Sequence, residues 1–187
     1  MIFSKLNQVV DGVKGGVAGG LTGVGDIASS VVGVVKTTTV TTISGTAEVA
    51  SKGLEVSASI VSGAFAGLSD IGKATIGAVR GVVNGAVQGY MEGGGKQEEA
   101  VKGAVSQTIH DAKDLGLNVA DTAVEAVAGA IDAVKQVGGD TVQATTDAVV
   151  AALDAAKDVG GDTVDAVTQS LKSGVDGASE VIDEIKK

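Results

Sequence analysis

Asp132-Ala133-Val134-Lys135-Gln136-Val137-Gly138-Gly139-Asp140-Thr141-Val142 recurs, two eleven-residue steps later, as Asp154-Ala155-Ala156-Lys157-Asp158-Val159-Gly160-Gly161-Asp162-Thr163-Val164. The single step of eleven runs through the whole chain. Every eleventh residue from Val10 gives Val10, Leu21, Val32, Ile43, Leu54, Phe65, Ile76 and Val87. Beyond Glu98 the column resumes with Ile109, Ile131, Val142, Leu153, Val164 and Val175, interrupted only by Ala120, and ends at Lys186. No insertion or deletion shifts the phase.

With Val10 at position a, the charges keep the same register. Positions b and f hold 17 of the 23 acidic residues. Position e holds seven of the 14 basic ones: Lys14, Lys36, Arg80, Lys102, Lys113, Lys135 and Lys157. Eleven residues in three turns is about 3.67 per turn, close enough to the α-helix that one apolar stripe stays on one face. Lysine at the border of that stripe can lay its alkyl stem on apolar surface and keep its ammonium in water. Asp11–Lys14, Glu99–Lys102, Asp132–Lys135 and Asp154–Lys157 sit at i,i+3 helical spacing. The pattern predicts an all-α protein with a long amphipathic 11/3 helix, folded into a hairpin or segments near Gly93–Gly95 and partly disordered when free.

The Gly-Gly-Asp triplets have two readings. A C′ glycine followed by an N-cap aspartate would break the helix once in every second repeat. Alternatively they are soft points in a nearly continuous helix. A turn would normally cost or add residues and lose phase, which favours the second. In the flanking pairs Leu115-Gly116, Ala126-Val127, Val137-Gly138 and Ala148-Val149, one large residue per repeat steps between two adjacent columns.

Charge divides the chain. Residues 1–95 carry six basic and six acidic side chains and 20 of the 29 glycines, whereas residues 96–187 carry eight and 17. The expected organisation is a neutral Gly/Val/Thr-rich repeat helix over 1–92, a hinge at 93–99, and an acidic repeat helix with the doubled super-repeat over 100–187. The run Lys36-Thr37-Thr38-Thr39-Val40-Thr41-Thr42-Ile43 is rich in β-branched residues and would suit a strand or an aggregating segment over 31–50. The unbroken phase assigns it to helix in the bound state. Gly77, Gly81, Gly85, Gly89 and Gly93 recur every four residues, as do Gly12, Gly16 and Gly20. Such spacing lets helix backbones approach closely, or it follows from a glycine-rich composition alone.

Composition excludes several function classes. Without cysteine there is no disulfide, thiolate metal site or thiol nucleophile. His110 is the only histidine and falls on the acidic, solvated face, so no metal or acid–base cluster is expected. No phosphate-cradling or triad motif is present, which argues against an enzyme, a cofactor or a small-molecule substrate. A formal charge of −9 without stacking aromatics disfavours nucleic acid. No signal-peptide pattern opens the chain, and uncharged stretches such as Val56 to Ser69 are shorter than a membrane span. A cytoplasmic location, peripheral to a membrane or lipid droplet, is the resulting expectation.

These phase-locked repeats, rich in Val, Thr, Ala, Gly and Lys and poor in aromatics, resemble those of synucleins and of perilipin lipid-droplet coats. Val31 to Ala50 looks like the Val/Thr/Gly-rich apolar part of a synuclein, although the Lys-Thr-Lys-Glu-Gly-Val motif is absent. The resemblance spans essentially the whole chain, in period and composition. It implies a chain that is disordered when free and becomes an extended helix on phospholipid or oil. Late-embryogenesis-abundant desiccation proteins share the period.

The expectation is therefore a non-enzymatic protein whose column from Val10 to Val175 coats a lipid or other apolar surface reversibly, with the seven e-position cations at the interface. A self-assembling helical bundle or filament is the first alternative, and a desiccation protectant the second. The partners expected are a lipid surface or another copy of the chain.

Overall fold

A computed structural model describes residues 2–44 and 52–187. Every regular element among them is helical: α1 (Ile2–Leu21), α2 (Ile27–Ile43), α3 (Gly53–Asp70), α4 (Ile76–Glu92), α5 (Gln97–Asp114), α6 (Val119–Gln136), α7 (Thr141–Val159), α8 (Thr163–Gly174) and α9 (Ala178–Ile185). The all-α expectation holds. The β-branched run is helical as far as Ile43, with Thr41 and Thr42 hydroxyls donating to the carbonyls of Thr37 and Thr38. The remainder of the strand question, at residues 45–50, lies outside the described residues.

The nearly continuous helix does not occur. Gly72, Gly94, Gly116, Gly138 and Gly160 recur at every second repeat, and each has a positive φ, between 69° and 97°. At the first four of them the helix closes in the same way. The residue after the glycine donates back across the turn to the residue four before the glycine: Lys73 to Leu68 at 2.8 Å, Gly95 to Tyr90 at 2.9 Å, Leu117 to Ala112 at 2.8 Å and Gly139 to Val134 at 2.9 Å. The glycine itself donates three residues back, as Gly116 does to Lys113. These two hydrogen bonds satisfy carbonyls that the helix end would orphan, and they need a left-handed residue that glycine adopts without strain. Restarts are capped as well. The Asp140 carboxylate accepts from the backbone N–H groups of Val142 and Gln143, and Asn118 accepts from Asp121.

The eleven-residue phase survives these turns for a simple reason. Gln97, Val119, Thr141 and Thr163 open successive helices, each two repeats after the last. Turn and helix together make a unit of fixed length, so each unit begins at the same repeat position. The segment expected as a hinge, 93–99, contains the α4–α5 turn, built like the turns at Gly72, Gly116 and Gly138.

The helices form two layers. Odd-numbered helices lie side by side in one layer and even-numbered helices in the other, each packing most extensively on the helix two places along. Neighbours within a layer run parallel: Gly63 and Gly67 of α3 lie against the carbonyls of Val10 and Lys14 of α1, and Gly85 and Gly89 of α4 against those of Val32 and Lys36 of α2. A Cβ at Gly85 would stand 2.6 Å from the Val32 oxygen, so the backbones touch. Across the layers α1 and α2 run antiparallel, with Gly12, Gly16 and Gly20 facing Thr42, Thr38 and Val34. Glycine spacing of four thus marks close helix contacts at α1 and at α4.

The core lies between the layers. Of its 44 buried apolar residues, 18 are Val and 16 are Ala, with Tyr90 and Phe65 the only aromatics. Small side chains suit helices held this close. No helix among the described residues is long and apolar enough to cross a membrane.

Candidate functional surface

The stripe divides into two alternating sets. Leu21, Ile43, Phe65, Val87, Ile109, Leu153 and Val175 are buried in the core, and Ile131 is half-buried. In the alternate set, Val10, Val32, Ile76 and Val164 are half-buried, whereas Leu54 is 50% and Val142 78% exposed. From α3 onward the second set falls in the first two positions of a helix, where the unit turns outward. The apolar face that the sequence offers to a surface is thus mostly turned toward other helices of the same chain.

The e-position cations act chiefly between helices of one layer. Lys14 meets Asp70 at 3.3 Å, Lys36 meets Glu92 at 2.7 Å, and Arg80 holds Asp132 through Nε and a terminal nitrogen at 2.9 and 2.6 Å. Lys102 pairs with Glu98 on its own helix and approaches Asp147 of α7 at 3.5 Å. Lys113 donates to the Val159 carbonyl at 3.4 Å, and Lys135 is exposed. Of the four expected i,i+3 pairs only Asp154–Lys157 forms, at 2.9 Å. Lys14, Lys102 and Asp132 instead take partners elsewhere, because the next helix of the layer brings a carboxylate or guanidinium as near as the helix's own next turn does. Such half-exposed pairs contribute about 1 kcal/mol or less each, so they set register more than stability.

Polar groups missed by the sequence reading lie in the same seams. Ser57 donates to the Ala100 carbonyl, and Gln88 donates to Asn84 and to Gln136. Asp111 of α5 accepts from Gln107 and from Ser62 of α3. Burial pushes its carboxyl above the usual range, and the two hydrogen bonds oppose that shift. Asp147 is 4% exposed: Oδ1 accepts from Gln143 at 3.0 Å, while Oδ2 is buried without a partner. Tyr90 is fully buried and donates to Glu99 at 3.1 Å; burial, and then the carboxylate, raise its hydroxyl well above the normal value of 10.0. The signal that could have found most of these contacts is complementary groups spaced by about four repeats. Ser57 and Ala100 differ by 43 in sequence number, Gln88 and Gln136 by 48, and Ser62 and Asp111 by 49.

An open groove of about 430 Å³ runs over α3, α5 and α7, floored by Leu54, Ala58, Val150 and Ala151 and edged by Lys102, Asp154 and Asp158. No group of three or more potential metal ligands occurs among the described residues. His110 Nε2 stands 3.7 Å from Asp158, bridging α5 to α7 rather than joining a cluster. What this arrangement does chemically is hold helices in register around an inward apolar face. No family model matches the chain, and no curated protein matches it.

Proposed function

We propose that the protein is a non-enzymatic coat protein that stores its apolar stripe inside a two-layer helical stack and exchanges helix–helix contact for a lipid or oil surface. The observation that carries this reading is that the mid-helix members of the stripe, from Leu21 to Val175, are the core residues themselves. An accessible surface of 8347 Å² is near the roughly 8,100 Å² expected of a folded monomer of this mass. Adsorption is then an exchange of one apolar contact for another, and the helices need not melt. A core mostly of Val and Ala gains little per residue, which keeps the exchange reversible. Within this reading the neutral first half adsorbs, and the acidic second half projects charge from the coated particle.

A disulfide staple tests the exchange, since the described chain has no cysteine to interfere. Cβ atoms at Gly20 and Val34 would lie 3.7 Å apart, inside the bonding range of about 3.5–4.5 Å. Oxidised G20C/V34C locks α1 to α2 across the layers. Flotation with neutral vesicles, anionic vesicles and an oil emulsion should recover the reduced form with lipid and leave the oxidised form behind. Absence of wild-type protein from every lipid fraction would sink the coat reading and leave self-assembly as the better account.

A further inference from the structure

The stack has two dissimilar ends. At the C-terminal end, α8 and α9 expose Asp165, Gln169, Lys172, Glu180 and Asp183. A charged outer face of this kind closes a helical repeat against further stacking. The N-terminal end is different. Within 12–20 and 33–42 the only charged residues are Lys14 and Lys36, and both turn inward along the stack to Asp70 and Glu92.

The repeat identifies what that uncharged face is. Lys36 and Arg80 stand four repeats apart and perform the same task, each tethering the next helix of its layer. The same displacement carries Gly63, which seats α3 on α1, back to Gly19, and carries Gly81 and Gly85, which seat α4 on α2, back to Thr37 and Thr41. Gly15, Gly19, Gly33, Thr37 and Thr41 are all exposed. A Cβ at Gly15, Gly19 or Gly33 would meet nothing described within 4 Å. The first helix pair therefore presents the seating face that α3 and α4 use internally, with no helix seated on it.

We propose that a second copy of the chain covers this face. Two copies pair about a two-fold axis along the helices, so that α1 of each lies antiparallel on α2 of the other, Gly15 and Gly19 against Thr37 and Thr41. The chain already contains that chemistry, in the antiparallel packing of Gly12, Gly16 and Gly20 on Thr42, Thr38 and Val34. Charge favours this pairing over a head-to-tail one, which would strip water from the charged C-terminal face against an uncharged surface. In the two-fold pair the acidic halves stay far apart. A hairpin about 30 Å long and about 20 Å wide buries about 1,200 Å² in total, the lower bound for a specific interface. The pairing concerns the lipid-free stack and stands or falls independently of the coat reading.

Sedimentation equilibrium from about 1 to about 100 µM tests it, a range matched to an interface of that size. The wild type should approach twice 18.1 kDa as concentration rises. G15E/G19E places carboxylates in open space, so helicity should be retained while the dissociation constant rises at least about tenfold. Q169K/S173K, on the opposite end, should leave the pair intact. A wild type that is monomeric throughout, or a dimer that survives G15E/G19E with its fold intact, overturns the proposal, as does a dimer lost only in Q169K/S173K.

Discussion

At Gly116 the backbone φ is +71° and a Cβ would meet nothing within 4 Å, whereas at Gly85 the φ is ordinary and a Cβ would press on the Val32 oxygen. Alanine therefore probes two different costs. Gly116→Ala should lose about 1–2 kcal/mol through left-handed strain alone. Gly85→Ala should lose about 1–3 kcal/mol by forcing α2 from α4. Gly15→Ala, helical and in open space, should gain up to about 1 kcal/mol. Urea midpoints order the three, and a neutral Gly85→Ala would mean that α2 and α4 do not touch. Tyr90 supplies a second residue-level measurement, since it is the only tyrosine. Its folded value lies above the unfolded one, so its contribution is intact below about pH 10 and declines as pH rises further. Tyrosinate absorbance should appear only as the chain unfolds. A reversible titration near the normal value with helicity intact would show that Tyr90 is not buried against Glu99.

For the helix and its turn, the unit is two eleven-residue repeats rather than one, and consecutive units alternate layers. Deleting residues 119–162 removes α6 and α7 and keeps that alternation, placing Asn118 directly before Thr163 as an N-cap. Deleting 119–129 keeps the stripe in phase but leaves half a helix. The first variant should still unfold cooperatively in urea, at a lower midpoint, while the second should lose cooperativity. Equal tolerance of both would point to a continuous helix instead. All-α class, the apolar stripe and the charge partition were readable from single-helix geometry, because each depends only on positions eleven apart. The turns were not. Gly116 and Gly138 stood beside Leu115 and Val137 and read as an alternation of size, and a constant unit length hid the breaks that lost phase would have exposed. The seams were hidden for another reason: Arg80–Asp132 and Ser62–Asp111 join positions 52 and 49 apart, which no one-helix projection brings together.

Over the whole molecule, the stripe that one helix would present outward is turned inward by nine helices among the described residues. A neutral first half and an acidic second half become the two ends of a stack, one uncharged and one closed by carboxylates. Size distinguishes this arrangement from a rod or a coil more directly than helicity, because rod and stack are both helical. Small-angle X-ray scattering of the lipid-free protein, extrapolated to zero concentration, should give a radius of gyration between about 16 and 20 Å. A value above about 40 Å, as for a disordered chain of this length or for a helix about 280 Å long, would contradict the two-layer stack.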